Sequence, residues 1–215
     1  MFVVRQPASS SEFNEGVSHL AKIFQDRFKT YPRELPDNFF LAFDTARNNE
    51  VVGTINVQLG KHYTSLEVEY FFEFDVEHVL KVPREAVAEI GRLTSSAEAV
   101  TPYLFCAATL FALRQGVSHF VSFNKRLISR CMKAHKLPVV EEIFPMRLDN
   151  VPEEYLPYFC ENPREPIVVL SQEIKVWIPR VLELMGAGEE KVSIELPPTP
   201  TGGNGPETHP LRRAS

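Results

Sequence analysis

The chain has 215 residues, of which 44% are hydrophobic and 24% charged, enough for one sizeable globular core. Its formal net charge of −5 argues against general binding to nucleic acid or anionic lipid. No apolar run approaches the roughly 20 residues that cross a bilayer, and the amino terminus lacks the layout of a secretory signal. We therefore expect a cytoplasmic protein without a membrane span. The cysteines predict free thiols, and the histidines lack ligand spacing, which predicts no metal site.

The amino-terminal part predicts one strand, one helix and a β-hairpin. Residues 2–5 predict a short strand, and Ser9 and Glu12 have the spacing of a capping box. Apolar residues then recur at three- and four-residue intervals, which predicts a helix with one apolar stripe. The β-rich segments 38–44 and 51–59 flank a turn-forming segment and predict a hairpin.

The central part predicts a β-α-β-α unit. In residues 65–75, polar and apolar residues alternate at first and aromatic residues follow, which favours a strand followed by a loop. Residues 86–96 predict the next strand, 101–116 a buried helix, 117–123 a strand and 124–136 a short helix. This order is a crossover unit, so we expect a parallel strand pair within a mixed sheet.

The carboxy-terminal part predicts one more strand and helix before the composition changes. Residues 166–172 predict a strand, and 173–185 predict a helix interrupted at Pro179. Beyond this point the chain is rich in Pro, Gly and Thr and poor in core residues. We expect one domain over residues 1–185 and a flexible tail over 186–215.

Two charged residues, Glu89 and Arg92, lie inside the strand predicted at 86–96. Burying either charge unpaired is costly, so a folded chain keeps such groups when they are paired or functional. Gly91 between them predicts a bulge that turns both charges to one side and frees a backbone N–H near Leu93. A carboxylate and an N–H so placed suit the attack of an amine on a thioester. The alternative interpretation is a structural ion pair.

Several segments together carry a family resemblance. The stretch "EVVGTINV" (50–57) is similar to a "vvGtxRl" strand, and "AEIGRLTSS" (88–96) to an E-x-x-R strand. The stretch "YFFEFDVEHVL" (70–80), which precedes the E-x-x-R strand, is similar to the corresponding segment of the thermostable-haemolysin branch. These segments, in this order, resemble the GNAT-like acyltransferase superfamily, and within it the acyl-homoserine lactone (autoinducer) synthases and N-acyl amino acid synthases. The resemblance covers roughly residues 10–172.

The resemblance implies a fold and a reaction. The fold is α+β, in three α/β layers, with a GNAT-like mixed and splayed β-sheet flanked by helices. The reaction is transfer of a fatty acyl group from acyl carrier protein, or CoA, to a small amine. Glu89 and Arg92 match the family's functional pair. The acyl donor lies along the same strand, and the acceptor is expected near the first helix and the hairpin (Leu93, Thr94, Ser95 for the donor; Arg27 and Asp44 for the acceptor).

Two departures from the family pattern bear on the acceptor. The arginine expected in the "vvGtxRl" strand is replaced by Asn56, and Asp37 and Asp44 do not form a D-x-aromatic-D motif. Both departures argue against S-adenosylmethionine as the acceptor of the acyl group. An amino acid or another small amine fits better.

The acyl donor is indicated by two further segments. Acetyl-CoA-dependent members place a Gly-rich turn after the E-x-x-R strand, but residues 93–104 contain no glycine. Arg126, Arg130 and Lys133 lie on one face of the helix predicted at 124–136. Such a basic stripe would attract the acidic acyl carrier protein, and the alternative is a solvated helix surface.

Three other interpretations stay open. One is a GNAT enzyme that uses a short acyl-CoA, and another is a catalytically silent GNAT-like binding module. A cysteine nucleophile is a more distant one, because Cys106 and Cys131 lie on apolar helix faces without a clear histidine partner. Many aromatic residues are candidates for an acyl tunnel (Phe39, Phe40, Phe43, Tyr70, Phe71, Phe72, Phe74, Tyr103, Phe105).

Overall fold

The computed structural model describes residues 1–30, 38–134, 136, 139–160, 167–186 and 192–198. The strands within these ranges are β1 Phe2–Arg5, β2 Phe39–Asp44, β3 Glu50–Leu59, β4 Val87–Ser95, β5 His119–Lys125, β6 Val140–Glu142, β7 Ile167–Glu173 and β8 Val192–Glu195. The helices are α1 Ser10–Phe28, α2 Glu67–Phe71, α3 Val76–Leu80, α4 Thr101–Arg114, α5 Arg126–Ala134, α6 Leu156–Cys160 and α7 Ile178–Gly186. The strands form one mixed sheet in the order β6-β7-β5-β4-β3-β2-β1-β8.

Apolar residues on both faces of the sheet are covered, which gives three layers. Neighbouring residues of β4 point to opposite faces, so Ala88 packs in the cluster that contains α4, whereas Val87 packs in the cluster beneath α2 and α3. On the second face, Leu20 of α1 also packs on β2 and β3. The three-layer α+β fold is confirmed. No helix of the described ranges is long and apolar enough to cross a membrane.

The first helix and the hairpin form as predicted. Ser9 Oγ accepts a hydrogen bond from the Glu12 backbone N–H at 3.2 Å and caps α1. Strands β2 and β3 pair antiparallel, and the Asp44 carboxylate accepts the Ala46 N–H at 3.0 Å in the turn between them. Local polar side chains therefore fix the start of α1 and the turn of the hairpin.

The sheet splays between β4 and β5. These parallel strands pair over three residues of β4, Val87 to Glu89, which lie opposite His119 to Val121. Beyond Glu89 the two strands separate, while β5 continues to pair with β7 along its whole length. The predicted parallel pair and the predicted splay are both confirmed. The separation begins at Glu89, which places this carboxylate at the apex of the opening.

The structure corrects the prediction for residues 65–75. The first part of this segment is the short helix α2 rather than a strand. The Glu69 carboxylate accepts the Leu66 N–H at 2.9 Å and the Val76 N–H at 3.1 Å, and it pairs with Arg84. These tertiary contacts outweigh the β propensity of the local sequence.

Three element boundaries also differ from the prediction. Strand β5 runs on through Lys125, so α5 begins at Arg126 rather than at residue 124. Helix α7 begins at Ile178, which places Pro179 in its first turn, where no intrahelical N–H is needed. Within the predicted tail, β8 pairs in parallel with β1 and extends the sheet. Residues 187–191 and 199–215 of that tail lie outside the described residues.

Candidate active site

Strand β4 carries the bulge that the sequence indicated near Gly91. The register of β3 against β4 shifts between Thr54 and Asn56, so Arg92 and Leu93 together face a single residue of β3. Arg92 takes a left-handed backbone conformation with φ of 50°, and the Thr54 hydroxyl donates to its carbonyl oxygen at 2.7 Å. The irregularity is therefore confirmed, but the unusual backbone angle falls on Arg92 rather than on the glycine.

Glu89 is a buried carboxylate that the start of α2 holds in place. Its side chain is 3% exposed, and one carboxylate oxygen accepts the Val68 N–H at 3.2 Å. Burial and the nearby charge of Glu67 raise the pKa of Glu89 well above its usual value of 4.5. The Val68 N–H and the positive charge of Arg92 act in the opposite direction. Such a carboxyl group holds a proton far more readily than an exposed one.

Arg92 forms its ion pair with Glu67 of α2. Both guanidinium nitrogens reach the Glu67 carboxylate, each at 2.5 Å, in a bidentate arrangement. The alternative interpretation, a direct ion pair between Glu89 and Arg92, is not found among the described contacts, because the bidentate partner of Arg92 is Glu67. The bulge does turn Glu89 and Arg92 to the same face, because both contact α2. Glu67 was missed because its segment reads as a strand.

Buried polar side chains of β3 and β4 form what we call the polar row, on the face that α2 covers. Gln58 lies opposite Glu89, and the hydroxyls of Thr54 and Thr94 are 2.7 Å apart. Asn56 is 1% exposed, and no described atom donates a hydrogen bond to its Oδ1. The members of the polar row are all buried (Thr54, Asn56, Gln58, Glu89, Thr94).

Gly91 makes room for the Asn56 side chain. A Cβ atom at Gly91 would lie 3.0 Å from Asn56 Oδ1, which is tighter than ordinary packing allows. Asn56 therefore reaches across to β4 beside Glu89. This close approach explains why a glycine stands inside the strand.

A small apolar cavity lies in the opening between β4 and β5. Its volume is about 20 Å³, which a single water molecule would fill. Of the aromatic residues predicted to line an acyl tunnel, Phe105 lines this cavity, and the others do not. The walls come from β4, β5, α4, α5, β7 and the turn before α7 (among them Ile90, Leu93, Phe105, Phe120, Met132, Trp177).

The three residues predicted to hold the acyl donor complete strand β4. Leu93 lines the cavity. Thr94 hydrogen-bonds with Thr54, and Ser95 Oγ donates to the Ala97 carbonyl at 2.5 Å. Both hydroxyls are therefore engaged within the protein, so a donor along this strand would meet backbone groups and the Leu93 side chain.

The predicted carrier-docking residues lie on α5, where two of them share an internal partner. Arg126 Nε contacts Glu141 at 2.7 Å, and Lys133 Nζ contacts the same carboxylate at 3.2 Å. The Ser129 hydroxyl and these two cations lower the pKa of Glu141 to about 2. Arg130 is exposed. The basic stripe is thus partly neutralised by β6.

Of the two predicted acceptor-binding residues, Asp44 lies far from Glu89. Asp44 caps the hairpin turn, contacts Arg47 at 3.5 Å and pairs across from Glu50. Glu89 pairs across from Gln58, eight residues farther along β3 and roughly 27 Å away at about 3.4 Å per residue. This placement does not support a role for Asp44 beside Glu89.

Arg27 is exposed in the last turn of α1. Among the described residues, no hydrogen bond or ion pair joins it to Glu89. Asp37 lies outside the described residues.

Two further residues bear on the site. Tyr158 lies near Arg92, and burial raises the pKa of Tyr158 to about 12. No sequence signal marked this tyrosine. Burial also raises the pKa of Cys106 to about 12, which keeps its thiol protonated and argues against a cysteine nucleophile. The Cys131 side chain lies outside what the structure describes.

The fold can be compared with known proteins. No protein-family model and no curated protein matches the sequence. BjaI, a CoA-dependent acyl-homoserine lactone synthase solved with SAM and isopentyl-CoA, matches with a TM-score of 0.59 at 14% identity, over 92% of this chain and 94% of that chain. MesI, another CoA-dependent acyl-homoserine lactone synthase, matches with a TM-score of 0.52 at 13% identity, over 90% and 98%. The AHL synthase LasI matches with a TM-score of 0.50 at 12% identity, over 81% and 88%. The chain therefore has the GNAT-like fold in the form that these acyl-homoserine lactone synthases share.

Proposed function

We propose that this protein is an N-acyltransferase that moves an acyl group from a thioester donor to a small amine. The observation that carries the proposal is the position of Glu89. This buried carboxyl group, with a pKa raised well above its usual value, lies at one end of the polar row, where β4 and β5 separate, and the next residue, Ile90, lines the apolar cavity. A base poised nearer to neutral pH is what proton removal from an attacking amine requires.

The proposed reaction needs a base that accepts the proton of the amine and a group that stabilises the oxyanion. The amine, as its neutral form, attacks the thioester carbonyl carbon, and an N–C bond forms as the carbonyl electron pair moves to oxygen. When the oxyanion collapses, the C–S bond breaks and sulfur leaves with its electron pair. Glu89, directly or through a water, accepts the proton from nitrogen, and this proton then neutralises the thiolate. The products are an amide and a thiol.

The backbone N–H of Leu93 is our candidate for stabilising the oxyanion. Ser96 N–H donates to the Val52 carbonyl of β3 at 2.8 Å. Backbone groups along a strand alternate in direction, so Leu93, three residues earlier, points away from β3. On that side β5 has already separated from β4. An acyl carbonyl in the opening would therefore meet an amide donor at the position where negative charge develops.

For the donor we propose acyl carrier protein first and acyl-CoA as the alternative. The carrier is favoured by the exposed Arg130 and by the absence of glycine from residues 93–104, where a pyrophosphate cradle would form. Acyl-CoA is favoured by the fold that this chain shares with BjaI and MesI, both named as CoA-dependent. The cavity has room for one water molecule, so an acyl group of any length requires its walls to separate on binding.

The test is product formation by the purified protein. Acyl carrier proteins and CoA carrying acyl groups of several lengths would be offered with a panel of amines, and N-acylated products sought by mass spectrometry. We expect products with the wild type and with the exposed control Glu85→Gln, but not with Glu89→Gln. A folded protein that binds either donor and yields no product with any amine would overturn the proposal in favour of a silent binding module.

A further inference from the structure

We propose that the acceptor is a small amine without a carboxylate group, and that Asn56 is a residue that selects it. This inference rests on the proposed N-acyltransferase function and narrows the class of its acceptor. It depends on a buried oxygen to which no described residue donates a hydrogen bond, on the charges around it, and on its register position relative to Glu89.

Asn56 Oδ1, at the centre of the polar row, has no hydrogen-bond donor within the part of the chain that the structure describes. Its side chain is 1% exposed, and no described atom donates to this oxygen. Buried polar atoms are nearly always paired, so an unpaired one next to a reactive carboxyl calls for a ligand. A carbonyl oxygen can only accept, so the missing partner is a donor, such as an amine N–H.

The charges beside Asn56 disfavour a carboxylate on the acceptor. Among the described residues, both guanidinium groups that contact α2 are already ion-paired, Arg92 with Glu67 and Arg84 with Glu69. An acceptor carboxylate placed beside Glu89 would face the negative charge of Glu67 in a buried setting. Like charges there are strongly unfavourable, whereas an amine is attracted.

One nitrogen atom can reach both Asn56 and Glu89. Asn56 lies opposite Gly91, so Asn56 and Glu89 are diagonal neighbours across β3 and β4. Diagonal neighbours have Cα atoms roughly 7–8 Å apart and their side-chain tips closer. A nitrogen that makes two hydrogen bonds of about 2.9 Å spans up to roughly 6 Å between its acceptors. Gly91 contributes no side chain to obstruct this position.

The experiment compares amines that differ by a carboxylate alone. The pairs are ethanolamine and serine, tyramine and tyrosine, and putrescine and ornithine, each offered with the donor that the wild type uses. We expect kcat/KM to be at least about tenfold higher for the carboxylate-free member of a pair. Equal or better use of the amino acids would overturn this inference while leaving the N-acyltransferase function in place. Failure of every amine with every donor would instead overturn the proposed function itself.

Variants at position 56 then test the residue. Asn56→Arg, which supplies a cation, should shift the ratio of kcat/KM within a pair at least about tenfold toward the amino acid. Asn56→Asp, which keeps the shape and adds an acceptor, should keep or raise the preference for the amine, and it serves where the arginine variant does not fold. The matched control Asn14→Arg, on the exposed face of α1, should leave the ratio unchanged. If folded position-56 variants kept the wild-type ratio, Asn56 would not be the selecting residue.

Discussion

Helix α2 contributes two glutamates, and each forms an ion pair with an arginine from a distant segment. Glu69 pairs with Arg84, and Glu67 pairs with Arg92, both through two short contacts. The Glu69 pair is surrounded by hydrogen bonds, since the same carboxylate also accepts the N–H groups of Leu66 and Val76. The Glu67 pair has a third charged group beside it, the buried Glu89.

The Glu69 pair has a structural role, whereas the Glu67 pair lies beside the candidate catalytic carboxyl group. Around Glu69 every acceptor oxygen has a donor, so this pair closes the turn between α2 and α3. Beside Glu67, burial of Glu89 and then the negative charge of Glu67 keep the pKa of Glu89 raised even though Arg92 is close. A glutamate–arginine pair thus stabilises a loop at one site and affects the pKa of a neighbouring carboxyl group at the other.

Replacing Glu89 should have the largest effect on activity. Glu89→Gln keeps the size of the side chain but cannot accept a proton, so kcat/KM should fall by about 10²–10⁴. The purified variant should remain folded, because the substitution removes a costly buried charge. Steady-state kinetics beside the Glu85→Gln control would measure this. An unchanged kcat/KM in a folded Glu89→Gln variant would remove Glu89 from the mechanism.

Breaking the structural pair should have the largest effect on stability. Arg84→Ala leaves Glu69, which is 9% exposed, without its counter-ion and should lower the free energy of unfolding by about 3 kcal/mol. Arg92→Ala should cost less, about 2 kcal/mol, because Glu67 is 23% exposed and is better hydrated than Glu69 once its counter-ion is gone. Chemical denaturation of both variants gives the comparison. Equal losses in the free energy of unfolding would show that the Glu67 pair stabilises the fold as strongly as the Glu69 pair.

Removing the charge of Glu67 should alter the pH dependence of the reaction. Glu89 acts as a base when ionised, so the rate falls as the pH drops through its pKa. Glu67→Gln removes a charge that raises this pKa, so the acidic limb of the kcat/KM profile should move to lower pH. A limb that stays in place, or moves to higher pH, would contradict the influence of Glu67 on Glu89.

The basic stripe on α5 should give the smallest effect. Arg130→Ala should reduce the rate with acyl carrier protein a few-fold at low salt and leave the rate with acyl-CoA unchanged. The control Lys22→Ala, an exposed cation on α1, should leave both rates unchanged. The same loss with both donors would argue against docking of a carrier on α5.

Local patterns predicted most of the strands and helices and placed Glu89 inside a strand, whereas the three-layer fold was implied by the family resemblance. The helix at residues 101–116 and the strand at 86–96 show in runs of apolar residues, and a carboxylate within such a run is visible without any partner. The bulge was indicated by Gly91, because a glycine within a strand often allows a close approach.

Long-range contacts could not be predicted in the same way. Glu67 meets Arg92 across 25 positions of the chain, and its own segment has the alternation of a strand, which tertiary contacts override. Asp44 was assigned to the acceptor by resemblance alone. In the structure its carboxylate caps the hairpin turn instead. Strand β8 is short and lies in a Pro-rich segment, so its pairing with β1 left no local signal.

The most direct test of the account is the titration of Glu89 itself. In protein carrying ¹³C-labelled glutamate, the carboxyl signal that is absent from Glu89→Gln reports its pKa. We expect a pKa well above 4.5 that coincides with the acidic limb of kcat/KM. We also expect the free energy of unfolding to decline as the pH rises through this pKa, since the folded state then loses a proton that it holds more tightly than the unfolded state. A Glu89 signal that titrates at or below 4.5, with an acidic limb elsewhere, would contradict the central claim.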